Sequence, residues 1–185
     1  MTTDEPIVSA RCALIVVPRA VLEASKASTG DGVDWPGIGP VSQELIATMP
    51  FGHWLTKLDA DPSVAPWLVR GIVVPDPHLR SGQRVVGHVG GHGRPDDDGR
   101  VEAGYTLAVA ARGQGLATEA VTAWFGWAHQ HGGRIARLSV GEENEPSLAI
   151  AARLGLRKVD RMWDEDDQIW ETVFEAPLPL GPTAR

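Results

Sequence analysis

The stretch Tyr105-Thr106-Leu107-Ala108-Val109-Ala110-Ala111-Arg112-Gly113-Gln114-Gly115-Leu116-Ala117-Thr118-Glu119-Ala120 decides the fold. Residues 101–109 read as a strand. From Leu116 the apolar positions change period, recurring at 116, 120, 123, 124, 127 and 128, the spacing of a helix buried on a broad face. Between them lies a tight loop with Gly113 and Gly115. The first N–H groups of a helix have no intrahelical partner, and the helix dipole favours an anion beside them. Glycine removes the Cβ atoms that would hold a phosphate off those amides. Arg112 adds a charged donor. The direct physical reading is a strand–loop–helix that grips a diphosphate-bearing cofactor; the plainer one is a glycine-rich turn that only connects two elements.

Two common diphosphate motifs fit poorly. A dinucleotide fingerprint wants a third glycine where Thr118 stands and an acid about 20 residues on, where residues 133–137 carry two arginines and no acid. A mononucleotide P-loop needs Gly-Lys-Ser/Thr, which is absent.

Working outward, the chain reads as one α/β domain spanning residues 10–175, with a flexible N-terminus at 1–9 and a flexible tail at 176–185. Strands are predicted at 10–17, 68–74, 85–89, 101–109, 136–140, 156–162 and 168–174. Helices are predicted at 19–28, 42–49 (Ser42 as N-cap), 116–131 and 146–154, with Gly132-Gly133 and Gly155 as stops. Residues 29–40 read as turns and 50–66 as irregular or short helix. Glu119 is expected to cap the first turn of its helix.

The composition agrees with a globular domain: 185 residues, 43% hydrophobic and 22% charged. No apolar run approaches the ~20 residues that span a bilayer, and Met1 to Pro6 resembles no signal peptide. The single cysteine, Cys12, cannot close a disulfide within the chain and lies in an apolar run, so a buried inert thiol and a cytoplasmic setting are expected. Seventeen basic against 24 acidic residues leave a net charge of −7, without the basic footprint of a nucleic-acid binder. That sign suits a cationic partner better.

A resemblance sharpens this. Arg112-x-x-Gly115-x-Ala117 resembles the pyrophosphate-binding signature of the GNAT acyltransferase superfamily. Asn144-Glu145-Pro146-Ser147, followed by residues 148–154 and Gly155-Leu156, resembles a second family block, with Leu156 in place of the usual Phe. Upstream, residues 86–90 and 102–106 look like the two strands before the loop. The likeness covers residues 68–174 and is nearest the branch of ribosomal-protein N-terminal acetyltransferases. It implies a single α/β domain of GNAT type, with a mixed, mostly antiparallel sheet of six or seven strands flanked by helices.

It also implies acetyl transfer from acetyl-CoA, as co-substrate and without metal, to a primary amine. The acceptor is a small molecule or a protein N-terminus, not nucleic acid or membrane, with a homodimer left open. CoA would contact Leu107, Ala108, Val109, Arg112, Gly113, Gln114, Gly115, Leu116, Ala117, Thr118, Asn144 and Ser147. A backbone N–H of Leu107 or Val109 would hold the thioester carbonyl, and Asn144 would meet the pantetheine arm.

Such chemistry needs a base, because an amine of pKa near 10.4 is about 99.9% protonated at pH 7.4 and deprotonation costs about 4 kcal/mol. Strand parity sends Glu102, Thr106 and Ala108 to one face, and Glu102 is the first candidate; a hydrogen-bonding strand carboxylate is the plainer role. His88 is the second, its alternative a solvent-facing strand residue. Many relatives protonate the leaving thiolate with a tyrosine on the helix after Asn144. Here that helix offers no tyrosine; Tyr105 is the only one and lies on a strand. Ser147 is the remaining hydroxyl, with a helix-start hydrogen bond as its plainer role. A module that binds CoA without turnover stays open. His88 with His92, and His129 with His131, lack a third ligand for a metal site. Trp35, Trp54 and Trp67 are read first as core, with pocket lining open, and the acidic run 164–167 as a solvated turn.

Overall fold

The computed structural model describes residues 3–30, 32–165 and 167–181. Its centre is an eight-stranded sheet. In chain order the strands are β1 (Ile7–Val8), β2 (Ala13–Val16), β5 (Arg70–Pro75), β6 (Gln83–Gly91), β7 (Arg100–Leu107), β8 (Ile135–Gly141), β9 (Arg157–Asp164) and β10 (Ile169–Pro177). Their order across the sheet is β1-β2-β5-β6-β7-β8-β10-β9. Every pairing is antiparallel except β7 with β8. A separate hairpin, β3 (Gly32–Trp35) with β4 (Gly39–Ser42), lies in the stretch read as turns. Six helices flank the sheet among the described residues: α1 (Arg19–Ala27), α2 (Gln43–Ile46), α3 (Phe51–Ala60), α4 (Ala65–Leu68), α5 (Leu116–Gln130) and α6 (Glu145–Arg153).

The predicted helix starts and stops follow local chemistry. Ser42 Oγ accepts from Leu45 N–H at the start of α2, and Gly132 (φ 102°) and Gly155 (φ 73°) take the left-handed conformations that stop α5 and α6. In the middle of the sheet Gly90 is required by packing, since a Cβ there would meet the Leu68 carbonyl oxygen at 1.9 Å. The core runs between sheet and helices and includes Trp35, Trp54, Trp67, Trp124 and Trp127. Trp67 packs at a tilt against Trp127 with ring centres 4.6 Å apart.

Described residues near both ends make contacts with the body of the domain. Arg70 is fully buried, and its guanidinium donates to the carbonyls of Thr3, Glu5, Leu14 and Pro66 while lying over Trp127. Burial lowers its pKa to about 10. A buried guanidinium needs acceptors for its fork of donors, and the N-terminal backbone supplies them. At the other end, Leu178 N–H donates to Arg134 O at 2.7 Å, and Leu178 and Leu180 pack on the core. The expectations for residues 1–2 and 182–185 lie outside the described residues.

One break in the sheet positions everything that follows. β7 and β8 pair only over Arg100–Ile135, Val101–Ala136 and Glu102–Arg137. Beyond Glu102, β7 stays with β6 as far as Leu107, while β8 stays with β10 as far as Gly141. The two strands therefore part, and a gap opens through the middle of the sheet.

Candidate active site at the strand gap

On one side of the gap is the glycine loop. Gly113 (φ 73°) and Gly115 (φ 77°) are both left-handed, and Gly115 is the N-cap of α5 with no side-chain cap. The first helical bond of α5 is Glu119 N–H to Gly115 O, so the N–H groups of Leu116, Ala117 and Thr118 point out of the helix start. A Cβ on Gly113 would meet nothing within 4 Å, which leaves the space above the loop open. That space belongs to a cavity of about 1140 Å3 bordered by Arg112, Gly113, Gly115, Thr118 and Arg153. Arg112 Nε also reaches back to Leu107 O at 2.9 Å, and Arg153 donates to Thr118 Oγ1 at 3.3 Å. Gln114 caps the short turn before it, its amide donating to Ala110 O at 3.1 Å.

Glu119 does not cap its own helix. Its carboxylate accepts from Ser9 Oγ (2.8 Å), Arg11 N–H (2.7 Å) and Arg11 Nε (2.7 Å), while Arg11 also donates to Gln114 O. Burial works to raise the Glu119 pKa, but these hydrogen bonds outweigh it and hold the group below its ordinary value. A carboxylate one turn into a helix faces sideways as readily as along the axis, and here the N-terminal segment supplied the donors.

The gap edge itself is backbone. Ala108 N–H donates to Val86 O across the ladder with β6. An antiparallel strand uses alternate N–H groups, so those of Tyr105 and Leu107 point away from β6 and into the gap. Val109 N–H is already taken by Glu44 Oε1 of α2 at 2.7 Å. Of the two donors expected at a thioester carbonyl, only Leu107 therefore faces the gap.

On the other side is a second cavity of about 820 Å3, walled by Tyr105, Ser147, Trp163, Trp170 and Glu171 among others. Tyr105, Asn144 and Ser147 line both cavities, so the two meet at these three residues. Asn144 Oδ1 accepts from Ser147 N–H at 3.2 Å and N-caps α6. Burial raises the Tyr105 pKa, and the neighbouring Ser147 hydroxyl partly offsets this. The two hydroxyls lie side by side without a well-aligned hydrogen bond, and Tyr105 Oη has no partner among the described residues.

Glu102 and Glu171 lie on the face of the sheet opposite Tyr105. Glu102 accepts from Ser139 Oγ at 2.5 Å and lines neither cavity. Glu171 does line the 820 Å3 cavity, opposite Gly141, which has no side chain to cover it. Burial and then the charges of Asp164, Glu102 and Asp167 raise its pKa. Glu142, at the same cavity, is paired with Arg161. Sequence reading placed Glu171 in the closing strand 168–174 but did not weigh it as a site residue, because nothing local shows which strand lies beside it. Trp163 and Trp170, 5.5 Å apart edge to face, supply the aromatic wall. Trp35, Trp54 and Trp67 line neither cavity. Asp166 of the acidic run lies outside the described residues.

His88 is not with these groups. It is buried between Trp54 and Thr48, 3.3 Å from the Thr48 hydroxyl, and burial lowers its pKa to about 4. The solvent-facing alternative fails because Thr48, just after α2, and Trp54 of α3 cover it. Among the described residues no group of His, Cys, Asp and Glu could hold a metal ion, and no helix is long and apolar enough to cross a membrane.

Residues 33–157 match the family model for the acetyltransferase (GNAT) domain. The chain belongs to the GNAT acetyltransferase family. No curated protein matches it in sequence. Solved GNAT structures share the fold: a Vibrio cholerae protein assigned as a ribosomal-protein-serine acetyltransferase has 20% identity and a TM-score of 0.61, covering 96% of this chain and 99% of that one. RimL, the ribosomal L7/L12 α-N-protein acetyltransferase, solved with coenzyme A in disulfide linkage to a cysteine, has 17% identity and a TM-score of 0.57, covering 94% and 98%. The microcin C7 self-immunity acetyltransferase MccE, solved with acetyl-CoA and AMP, has 14% identity and a TM-score of 0.60, covering 92% and 94%.

Proposed function

We propose that this GNAT protein moves an acetyl group from acetyl-CoA to a primary amine by direct attack on the thioester. The observation that carries the reading is the strand gap. It joins a cavity built on free helix N–H groups and arginines to one built on carboxylates and tryptophans, with hydroxyls where the two meet. The pyrophosphate would sit on the N–H groups of the loop from Gly113 to Thr118, with Arg112 and Arg153 beside it. The pantetheine arm would complete the edge that β7 leaves unpaired, through Leu107, with Asn144 facing it. Structural neighbours solved with acetyl-CoA or CoA support CoA as the bound group.

The amine enters from the carboxylate side. Its proton passes to the pair Glu102 and Glu171, the charge of Glu102 helping to raise the Glu171 pKa. The nitrogen attacks the carbonyl carbon, the N–C bond forms and the C–S bond breaks. Ser147 assists protonation of the thiolate, a small demand because a thiol of pKa near 8.5 leaves readily. His88, neutral in the core, takes no part. Named relatives act on ribosomal proteins, and a protein N-terminus and a small-molecule amine are the acceptor classes proposed.

The test is release of free CoA from acetyl-CoA against a panel of peptide N-termini, polyamines and aminoglycosides, read with a thiol dye. Turnover is expected with at least one amine. Tight CoA binding with no turnover on any would instead select a CoA-binding module without catalysis.

A further inference from the structure

Three buried side-chain polar atoms have no hydrogen-bond partner among the described residues: Trp67 Nε1, Trp124 Nε1 and Tyr105 Oη. The two tryptophans belong to the packed core and line neither cavity. Tyr105 lines both. A buried hydroxyl left unpaired is costly, and native folds leave few such groups. One that stands in the wall of a cavity is placed to be completed by whatever enters.

We propose that Tyr105 is a catalytic residue, its hydroxyl donating a hydrogen bond to the thioester sulfur of acetyl-CoA and giving that sulfur a proton as the C–S bond breaks. The proposal rests on the acyl-transfer reading above. Three features of the fold support it. The same residue that turns its backbone N–H into the gap also carries the phenol, so a ligand lying along that edge passes the hydroxyl. The Tyr105 side chain shares a strand face with Ala103 and Leu107, toward α5 and the glycine loop, whereas Glu102 and Glu171 lie on the opposite face. Tyr105 and Glu171 thus approach the 820 Å3 cavity from opposite faces of the sheet. Ser147 lies beside the phenol and connects it to both cavities.

The bookkeeping of atoms closes. The amine proton goes to the carboxylate pair, the N–C bond forms, the C–S bond breaks, and sulfur takes the phenolic proton. Water then reprotonates the phenolate by way of Ser147. A phenol of pKa about 10 or above stays protonated at neutral pH and is a far closer match to a thiolate than a serine hydroxyl.

Tyr105 is the single tyrosine of the chain, so protein grown with ring-13C tyrosine gives one ζ-carbon NMR signal. Titration with CoA and with desulfo-CoA, which lacks the sulfur, compares two ligands that share every other contact. Both should bind by calorimetry, and CoA alone should shift the signal strongly. Equal shifts with both, or no shift with CoA bound, would overturn the role of Tyr105 while leaving the acyl-transfer reading intact. Failure of CoA to bind at all would overturn that reading first. In turnover, Tyr105→Phe should lower kcat about 10–100-fold with the KM for acetyl-CoA unchanged. A rise in KM with kcat intact would make Tyr105 a cofactor contact only.

Discussion

The two cavities that meet at the gap are built in opposite ways. The cavity proposed for CoA takes its main features from one short run, residues 112–118, and from backbone N–H groups that any sequence would present once the two glycines set the loop. The acceptor-side cavity draws on β7, β8, the loop at 142–144 and the hairpin of β9 and β10, and depends on side chains. One is basic and the other acidic and aromatic. A contiguous backbone site tolerates almost any acceptor chemistry across from it.

That contrast can be broken most sharply at Gly115. A Val there must adopt φ near 77°, a strained conformation for a β-branched residue. Gly115→Val should abolish measurable CoA binding in calorimetry, with circular dichroism still showing a folded chain. Unchanged affinity would show that the loop is not the donor site.

The acceptor side should answer in rate rather than affinity. Glu171→Gln and Glu102→Gln should each lower turnover ~10²–10⁴-fold and leave acetyl-CoA affinity unchanged. The raised pKa of Glu171 also sets a sign. Below it the carboxylate is protonated and cannot accept the amine's proton, so kcat/KM should fall as pH drops. Glu171→Gln should remove that acid limb, and a limb that persists would place the base elsewhere. Smaller still is Ser147→Ala, expected to cut turnover by no more than about 10²-fold. If it instead weakens acetyl-CoA binding at a constant saturated rate, Ser147 belongs to the donor side.

How much was legible follows the same division. Gly113, Gly115 and the period change at Leu116 fixed the loop and α5 because their causes are local. Asn144 and Pro146 marked the start of α6 for the same reason. The gap was not legible, since β7 and β8 part only because each keeps a different neighbour. Nor was Glu171, which becomes a site residue only when β10 is laid beside β8. Tyr105 looked remote from the α6 start, yet the parting of the strands brings its hydroxyl next to Ser147. The β3–β4 hairpin was read as turns because Gly37 lies in its connection and Gly39 and Pro40 open its second short strand. Arg70 ordered the N-terminus through contacts 56 to 67 residues apart, beyond any local pattern.

The smallest expected effect probes the join between that N-terminus and the donor loop. Removing the Glu119 carboxylate with Glu119→Gln should cost about 1 kcal/mol, discounted for the exposure of Arg11, and lower Tm by about 2–4 °C. Because the folded pKa is depressed, this stabilisation is present above the unfolded value and is lost as pH falls through the folded one. A variant with unchanged Tm at neutral pH would show the contacts of Ser9 and Arg11 to be incidental.

The central claim is that the CoA sulfur reaches the meeting point of the two cavities, beside Ser147. The chain offers a clean way to ask, because its one cysteine, Cys12, is buried and burial raises its pKa. Ser147→Cys, incubated with CoA disulfide and read by intact-protein mass spectrometry, should gain one CoA by thiol–disulfide exchange. The wild type should gain none. A Ser147→Cys protein that binds CoA in calorimetry yet forms no adduct would place the sulfur elsewhere and contradict the account.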